Sequence, residues 1–319
     1  MSPNPYVFVV GCPRSGTSLV RRILDAHREL AMLPETHWIP ELFKARAGVT
    51  EDGIVTSKLV PTLLAHPRFA RLGINPDELR RLANQGRPRT YAEFVTALFD
   101  AYAAAHGKKL AGDKTPGYAR EIATLRRLWP QARFVHLIRD GRDVCLSALS
   151  WERKAADFER RFPTWRDDPV TTAALWWRWH VEIARRQGAG LGRSRYYELR
   201  YEDLVREPEM ACRRLCDFLH LPFEDAMLRF HEGRTRSKPG LSAKRAWLPV
   251  TAGLRAWRAE LPAEDVERFE SAAGVLIDQL GYQRGAPEPS ADRLAHAKQM
   301  ARAFRSRLPR TGEPLPAYW

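Results

Sequence analysis

The sequence predicts an α/β fold in which a parallel sheet carries helices on both faces and contains one helical insertion. A strand, a polar turn and a helix follow one another at 6–24, with β-branched or aromatic residues throughout 6–10 and an apolar stripe at helical spacing in 19–24. Short apolar segments recur at 30–33 and 133–138, and each ends in a polar turn. Strands that alternate with helical patterns in this way are typical of parallel sheets.

The first turn has the composition of a phosphate-binding loop. Residues 11–18 keep Gly11 and Gly16 at the spacing of the G-x-x-x-x-G-K-S/T loop that binds nucleoside triphosphates. Thr17 stands where that loop has a lysine, so we expect a smaller, less charged group with Arg14 as its cation. Backbone N–H groups and the helix dipole favour an anion here. The sequence therefore predicts a sheet of the P-loop type.

Residues 12–18 resemble the 5′-phosphosulfate loop of sulfotransferases, the enzymes that use 3′-phosphoadenosine 5′-phosphosulfate (PAPS). With Leu-Asp-Ala-His at 24–27 and Glu-Thr at 35–36, the chain is similar to bacterial sulfotransferases and to the tyrosylprotein sulfotransferase branch. The resemblance covers about residues 6–282 and implies PAPS as co-substrate. It assigns the 5′-phosphosulfate group to Arg14, Ser15, Gly16, Thr17 and Ser18.

A general base is expected just after the second strand, where Glu35 follows 30–33. Side chains at the carboxyl ends of parallel strands face the ligand crevice, and transfer to a hydroxyl requires removal of its proton. The resemblance implies that the glutamate at this position is the base. His37 is the rival, because some cytosolic sulfotransferases use histidine.

A lysine and a serine complete the expected catalytic set. Lys114 lies in the turn at 113–116, after a short strand. The family places a catalytic lysine in a matching turn, where it stabilises the negative charge that grows on the leaving nucleotide. A solvated lysine beside Asp113 is the alternative. Counting back from Trp257 suggests Ser242 as a hydroxyl donor to the sulfuryl group.

The sequence predicts a helix from Tyr118 to Trp129, ended by Pro130, and then a strand at 133–138 that leads into a second phosphate element. The family binds the 3′-phosphate with an arginine at a strand end and a serine eight residues later, which here are Arg139 and Ser147. Arginine offers a bidentate grip on phosphate. An ATPase would instead place an acid at this strand end to hold magnesium.

Three more positions are candidate nucleotide contacts. Tyr201 lies in a recurrent segment of the family and would line the adenosine pocket, although a core tyrosine between a strand and a helix fits equally well. Lys244 and Arg245 belong to a basic loop at 234–249, which the family closes over the nucleotide. The basic residue that the family has before its tryptophan is replaced here by Ala256.

The segment between the second and third predicted strands, at about 39–106, is the helical insertion and the candidate for acceptor specificity. We predict a sulfotransferase domain at 1–284 that includes it, followed by a linker and a basic C-terminal helix at 285–319. That helix would dock on the body, mediate a homodimer or make a peripheral contact with an anionic membrane.

Composition narrows the class of protein. The net charge of +14 admits a polyanionic ligand, nucleic acid or an anionic membrane surface. The four cysteines form neither a metal pattern nor a disulfide framework. No apolar run approaches the ~20 residues of a membrane span, and the first strand begins too early for a signal peptide. These features predict a cytoplasmic protein. Animal relatives of the tyrosylprotein branch are anchored in the secretory pathway, so the resemblance without an anchor implies a bacterial setting.

The predicted function is in-line transfer of the sulfuryl group from PAPS to a hydroxyl, without a metal. The acceptor stays open among a glycan, a lipid, a phenol, a small metabolite and a peptide tyrosine. A P-loop nucleotide kinase or NTPase is the first alternative and would bind ATP with magnesium. A basic nucleic-acid-binding protein is the second, but the charge is spread along the chain and no nucleic-acid module is visible.

Overall fold

Five short strands form one sheet in the computed structural model, which describes residues 2–83, 88–150, 158–232, 248–251, 256–286 and 288–308. The strands are β1 (Val7–Gly11), β2 (Leu30–Leu33), β3 (Leu110–Lys114), β4 (Arg133–Ile138) and β5 (Tyr196–Arg200). Their order across the sheet is β2-β3-β1-β4-β5. β1 pairs in parallel with β3 and β4, and β2 pairs in parallel with β3. All five residues of β1 are buried, as expected for a parallel strand covered on both faces.

Helices connect the strands. Before β4 these are α1 (Thr17–Asp25), α2 (Trp38–Lys44), α3 (Leu59–Ala65), α4 (Pro76–Ala83), α5 (Tyr91–Ala105) and α6 (Ile122–Leu128). After β4 they are α7 (Gly141–Leu149), α8 (Thr164–Asp167), α9 (Pro169–Ala189), α10 (Tyr201–Arg206), α11 (Pro208–Leu219), α12 (Trp257–Glu260), α13 (Ala263–Gln279) and α14 (Ala291–Arg305). The predicted α/β class is confirmed. No helix of the described residues is long and apolar enough to span a bilayer.

The segment between β2 and β3 is helical and contains α2 to α5. Its longest helix, α5, begins with a capping box in which Thr90 and Glu93 satisfy each other's backbone N–H groups. Phe94 and Phe99 of this helix are fully buried in one apolar cluster with Phe8 of β1. Burial of these rings fixes the helical segment against the sheet.

One predicted helix is wrong in its bounds. The pattern from Tyr118 to Trp129 predicted a single helix, but the structure has a 3₁₀ turn at Pro116–Arg120 followed by the shorter α6. Glu121 interrupts the helix with a φ of −122°. The buried hydroxyl of Tyr118 lies 2.6 Å from Oγ1 of Thr36, so a tertiary contact outweighs the local helical pattern.

The chain divides into two compact units. The first comprises Met1–Gly11, Gly16–Leu137 and Ala184–Thr251, and the second comprises Cys12–Ser15, Ile138–Ile183 and Ala252–Trp319. The first unit holds the sheet up to Leu137 and the helical segment. In the second unit, α7, α13 and α14 share one apolar cluster that includes Phe269 and Phe304. The predicted division at 284/285 stays a prediction.

Candidate active site

The loop between β1 and α1 requires glycine at both of its glycine positions. Gly11 has a φ of +153°, and a Cβ there would lie 2.5 Å from the carbonyl oxygen of Leu137. Gly16 has a φ of +97°, and a Cβ there would lie 2.7 Å from the ring of Tyr201. Only glycine fits such positions without strain. The loop therefore keeps an open backbone at the point where the sequence predicts a phosphate.

The start of α1 is suited to bind an anion. Gly16 occupies the N-cap and has no side chain to cap the helix, and the first turn contains no acidic residue. The backbone N–H groups of Leu19 and Val20 bond to the carbonyl of Gly16, whereas Thr17 and Ser18 lie at the helix start, where N–H groups lack helical partners. Aligned N–H groups and the helix dipole attract phosphate or sulfate at such a position. The loop thus fits the predicted 5′-phosphosulfate group.

Glu35 receives three side-chain contacts beyond the end of β2. Nζ of Lys114 donates to Oε1 over 2.7 Å. Nε2 of His37 and Nη1 of Arg68 each lie 3.2 Å from Oε2. The structure therefore brings together the two predicted catalytic residues and the rival histidine. Arg68 was missed by the sequence analysis, because nothing in its spacing links it to Glu35.

Glu35 and Lys114 each shift the pKa of the other. Burial raises the pKa of Glu35, but the hydrogen bond from His37 and the charge of Lys114 outweigh burial and hold it well below the usual range. Burial lowers the pKa of Lys114, and the nearby charge of Glu35 only partly restores it. Nζ of Lys114 also lies 3.4 Å from Oγ of Ser18. Two predicted catalytic groups and one loop hydroxyl thus meet within the first unit.

A buried polar network lies behind the pair. Asp113 is fully buried, and burial raises its pKa to about 7, against the opposing effects of the Thr115 and Thr36 hydroxyls and the charge of Lys114. The backbone N–H of Thr36 donates to Oγ1 of Thr115 over 3.0 Å. The side chain of Thr36 in turn meets Tyr118. These contacts tie the residues after β2 to those after β3, which fixes the spacing of the catalytic pair.

Tyr201 is the first residue of α10 and is buried. It belongs to an apolar cluster with Val9 and Leu137. Its ring is the group that a Cβ at Gly16 would strike. This burial agrees with the interpretation of Tyr201 as a core residue, and its ring also lies against the loop. Contact of Tyr201 with adenosine therefore stays a prediction.

The second unit contains three of the predicted phosphate contacts, Arg14, Arg139 and Ser147. Arg14 has a φ of +77°, and its Nε donates to Oγ of Ser147 over 2.9 Å. Arg139 is buried, and its Nη2 donates to Oδ2 of Asp143 over 3.2 Å. Oδ1 of Asp143 accepts from the backbone N–H of Trp257 over 3.0 Å. Arg14 thus lies beside Ser147, and Asp143 connects Arg139 to the start of α12.

The turn between β4 and α7 is held by a fully buried arginine, Arg142. Its Nη2 donates to Asp140, the N-cap of α7, over 2.7 Å, and its Nη1 donates to Glu270 over 2.5 Å. Its guanidinium also lies 3.6 Å from the ring centroid of Trp257. A buried guanidinium with this many partners fixes the backbone next to Arg139.

Part of the predicted site lies outside the described residues. Ser242, Lys244 and Arg245 all fall there. Their roles stay predictions from the resemblance.

Comparison with known proteins identifies relatives over most of the chain. The profile of the sulfotransferase family matches residues 5–225. The chain is 28% identical over 295 residues to protein-tyrosine sulfotransferase 2 of Gallus gallus, covering 90% of this chain and 71% of that protein. It is 25% identical over 294 residues to protein-tyrosine sulfotransferase A of Caenorhabditis elegans, covering 90% of this chain and 70% of that protein.

Solved structures show the same fold. The sulfotransferase domain from the curacin biosynthetic pathway aligns with a TM-score of 0.60 at 21% identity, covering 88% of this chain and 98% of that one. The sulfotransferase domain from the Synechococcus PCC 7002 olefin synthase aligns with a TM-score of 0.52 at 24% identity, covering 97% of each chain. These alignments confirm the predicted P-loop-type architecture.

Proposed function

We propose residue roles for this chain, which belongs to the sulfotransferase family and is an enzyme that transfers the sulfuryl group of PAPS to a hydroxyl-bearing acceptor. The observation that carries the proposal is the Lys114–Glu35 pair, with Nζ 2.7 Å from Oε1 and Ser18 next to the lysine. Sulfuryl transfer needs a proton acceptor and a cation at the leaving oxygen, and this pair supplies both.

In this proposal one set of residues holds the 5′-phosphosulfate of the nucleotide and another set holds its 3′-phosphate. Backbone N–H groups of the β1–α1 loop and the side chains of Arg14 and Ser15 to Ser18 bind the 5′-phosphosulfate. Arg139 and Ser147 bind the 3′-phosphate, and Asp143 holds the guanidinium of Arg139 in place. An arginine that is already oriented loses little entropy when it binds phosphate. Tyr201, Ser242, Lys244 and Arg245 complete the proposed nucleotide contacts.

The transfer is a single in-line displacement. The acceptor oxygen forms a bond to sulfur while the bond from sulfur to the bridging oxygen breaks, and that electron pair stays on the leaving phosphate. Glu35 takes the acceptor proton, and Lys114 stabilises the charge that develops on the leaving oxygen. Ser242 is proposed as a hydroxyl donor to the sulfuryl oxygens. None of these roles requires a metal ion.

The acceptor that we propose first is a tyrosine hydroxyl in a peptide. The supporting finding is that the relatives in Gallus gallus and Caenorhabditis elegans are protein-tyrosine sulfotransferases. A phenol is also easier to deprotonate than an alcohol, because the usual pKa of tyrosine is about 10. This suits a glutamate whose own pKa is held low.

Location and assembly remain predictions. A cytoplasmic, bacterial setting is expected from the sequence alone, and a homodimer is one of three alternatives for the C-terminal helix. Ala297, Met300 and Phe304 of α14 are buried in a cluster of the second unit, which supports docking of this helix. That face is therefore not the one that would meet a membrane or a second copy.

The proposed function is tested by incubating the chain with sulfur-radiolabelled PAPS and a tyrosine-containing peptide. We expect label on the peptide and none on the same peptide with phenylalanine in place of tyrosine. Label on neither peptide, from a chain that binds 3′-phosphoadenosine 5′-phosphate (PAP), would overturn the tyrosine assignment and leave the nucleotide roles standing.

A further inference from the structure

The guanidinium of Arg68 lies beside the proposed base although Arg68 and Glu35 are 33 positions apart. Its Nη1 donates to Oε2 of Glu35 over 3.2 Å. Arg68 belongs to the helical segment between β2 and β3 and immediately precedes the 3₁₀ turn Phe69–Leu72. Neither the family resemblance nor the proposed function assigns a role to this arginine.

The backbone around Arg68 is held against α2. Phe69 is buried, and its ring meets Trp38 edge-on with centroids 5.8 Å apart. The backbone N–H of Arg68 donates to Nδ1 of His66 over 3.2 Å, and the N–H of Phe69 donates to the carbonyl of His66 over 2.9 Å. Packing and hydrogen bonds therefore fix the turn that presents the guanidinium.

The contacts to Glu35 leave room for one more donor. A carboxylate offers about four lone-pair positions. Lys114 takes one position on Oε1, while Arg68 and His37 take the two on Oε2. The side chain of Glu35 is 30% exposed, so its carboxylate is accessible. Counting only contacts made by the described residues, the position left lies on Oε1, the oxygen that also faces the lysine.

We propose that Arg68 is a positioning residue for sulfuryl transfer, which fixes Oε2 of Glu35 so that the remaining lone pair of Oε1 meets the acceptor hydroxyl. This inference rests on the proposed role of Glu35 as base. His37 shares the same oxygen and is about as exposed as Arg68, at 39% against 35%, but only Arg68 carries a permanent charge. The helical segment thereby contributes directly to the geometry of the base.

Other charged groups also act on the carboxylate and must be kept unchanged in a test. Lys114 faces it from β3, and His37 faces it from its own segment. Asp113 and Arg21 act electrostatically on the pair. Variants at Arg68 alone leave all four in place.

The first measurement needs no acceptor. The midpoint of the Glu35 carboxyl titration is followed by carbon-13 NMR, with the signal assigned by its loss in Glu35→Gln. We expect Arg68→Gln to raise the midpoint, but by less than the roughly 1–3 units that an opposite charge brings at a buried site, because the two side chains are 35% and 30% exposed and solvent screens the pair. Arg68→Lys should restore part of the difference. The control is Arg71→Gln, an exposed arginine of the same turn.

The second measurement is turnover with PAPS and the tyrosine peptide. We expect Arg68→Gln to lower kcat about tenfold while PAP affinity changes less than about twofold, and Arg68→Lys to recover part of the rate. A merely structural role would affect kcat and PAP affinity together and would not be rescued by lysine.

The outcomes separate this inference from the proposed function. An unchanged carboxyl midpoint in Arg68→Gln, or unchanged kcat, overturns the role of Arg68. If calorimetry shows that the wild-type chain binds no PAP, the proposed function fails. This result does not depend on the Arg68 variants. If it binds PAP but transfers nothing to the peptide, the acceptor assignment fails and the carboxyl midpoints alone decide on Arg68.

Discussion

Nζ of Lys114 lies 2.7 Å from Oε1 of Glu35, so the proposed base and the proposed cation at the leaving oxygen form one ion pair. The pairing has a consequence for the reaction. When Glu35 takes the acceptor proton, its charge is neutralised and its hold on Lys114 weakens. Negative charge appears on the leaving oxygen during the same step, so the lysine gains a new partner as it loses the old one.

Replacing the proposed base should abolish most of the turnover. We expect Glu35→Gln to lower kcat by about 10²–10⁴-fold, the usual contribution of general base catalysis. PAP affinity should be retained, because Glu35 is not a proposed nucleotide contact. The measurement is label transfer from PAPS to the tyrosine peptide, beside calorimetry with PAP.

Two variants control this prediction. Glu41→Gln changes a mostly exposed carboxylate of α2 and should leave kcat within about twofold. His37→Asn should retain much of the rate if Glu35 is the base. Loss of turnover in His37→Asn, together with near-normal turnover in Glu35→Gln, would transfer the base role to the histidine.

Removing one partner of the ion pair between Glu35 and Lys114 should destabilise the fold more than removing both partners. Glu35→Gln leaves the ammonium of Lys114 buried without its carboxylate, and we expect the free energy of unfolding at pH 7 to fall by roughly 1–3 kcal/mol. The double variant Glu35→Gln/Lys114→Met should recover part of this loss, because the buried charge is gone. Urea unfolding of the four proteins of the cycle measures the coupling. If the effects of Glu35→Gln and Lys114→Met on the free energy of unfolding simply add, the two residues are not coupled.

Asp113 should make stability depend on pH. Burial raises its pKa to about 7 from 3.8, so the folded chain binds more protons than the unfolded chain between these values. Stability contributed by this group is therefore present at low pH and is lost as pH rises through that window, by up to about 1.4 kcal/mol per pH unit.

The test of Asp113 is a comparison with Asp113→Asn at pH 5 and pH 8. The difference in free energy of unfolding, variant minus wild type, should become more positive by roughly 2–3 kcal/mol between the two pH values. Because the difference is taken between two proteins, titrating groups that do not interact with Asp113 cancel. A difference that stays constant with pH would show that Asp113 titrates normally.

Asp143 should support nucleotide binding without touching the nucleotide in the proposed arrangement. It accepts from Nη2 of Arg139 and from the backbone N–H of Trp257. Asp143→Asn weakens the hold on the guanidinium, and we expect PAP affinity to fall about fivefold, corresponding to about 1 kcal/mol. Asp167→Asn, an exposed acid of the same unit, should bind PAP as the wild type does. Equal PAP affinities in the wild type, Asp143→Asn and Asp167→Asn would show that Asp143 does not position Arg139 for the nucleotide.

The sequence was sufficient to place Glu35 and Lys114 at one edge of the sheet, but it did not predict their ion pair. Glu35 follows β2 and Lys114 ends β3, and parallel strands present their carboxyl ends at one edge of a sheet. In the structure β2 and β3 are neighbours, with Leu33 opposite Asp113, so Lys114 comes close to the residues just beyond β2. The strand order, which the sequence does not give, specifies this contact.

Contacts between distant segments could not be predicted in the same way. Arg68 reaches Glu35 from a turn whose position depends on the packing of Phe69 against Trp38. Asp143 meets the backbone of a residue 114 positions away. No periodicity or motif encodes such distances, because they arise only when the helices have packed. The helix predicted from Tyr118 failed for the same reason.

Binding of the PAPS nucleotide through Arg139 underlies all the roles proposed above, and it can be measured by calorimetric titration with PAP. The wild type is titrated with PAP and with ATP plus magnesium, beside Arg139→Ala and the exposed control Arg166→Ala. We predict metal-independent PAP binding that Arg139→Ala weakens about 10–100-fold and Arg166→Ala leaves unchanged. Binding of ATP with magnesium but not of PAP would exclude this role of Arg139 and favour a nucleotide kinase.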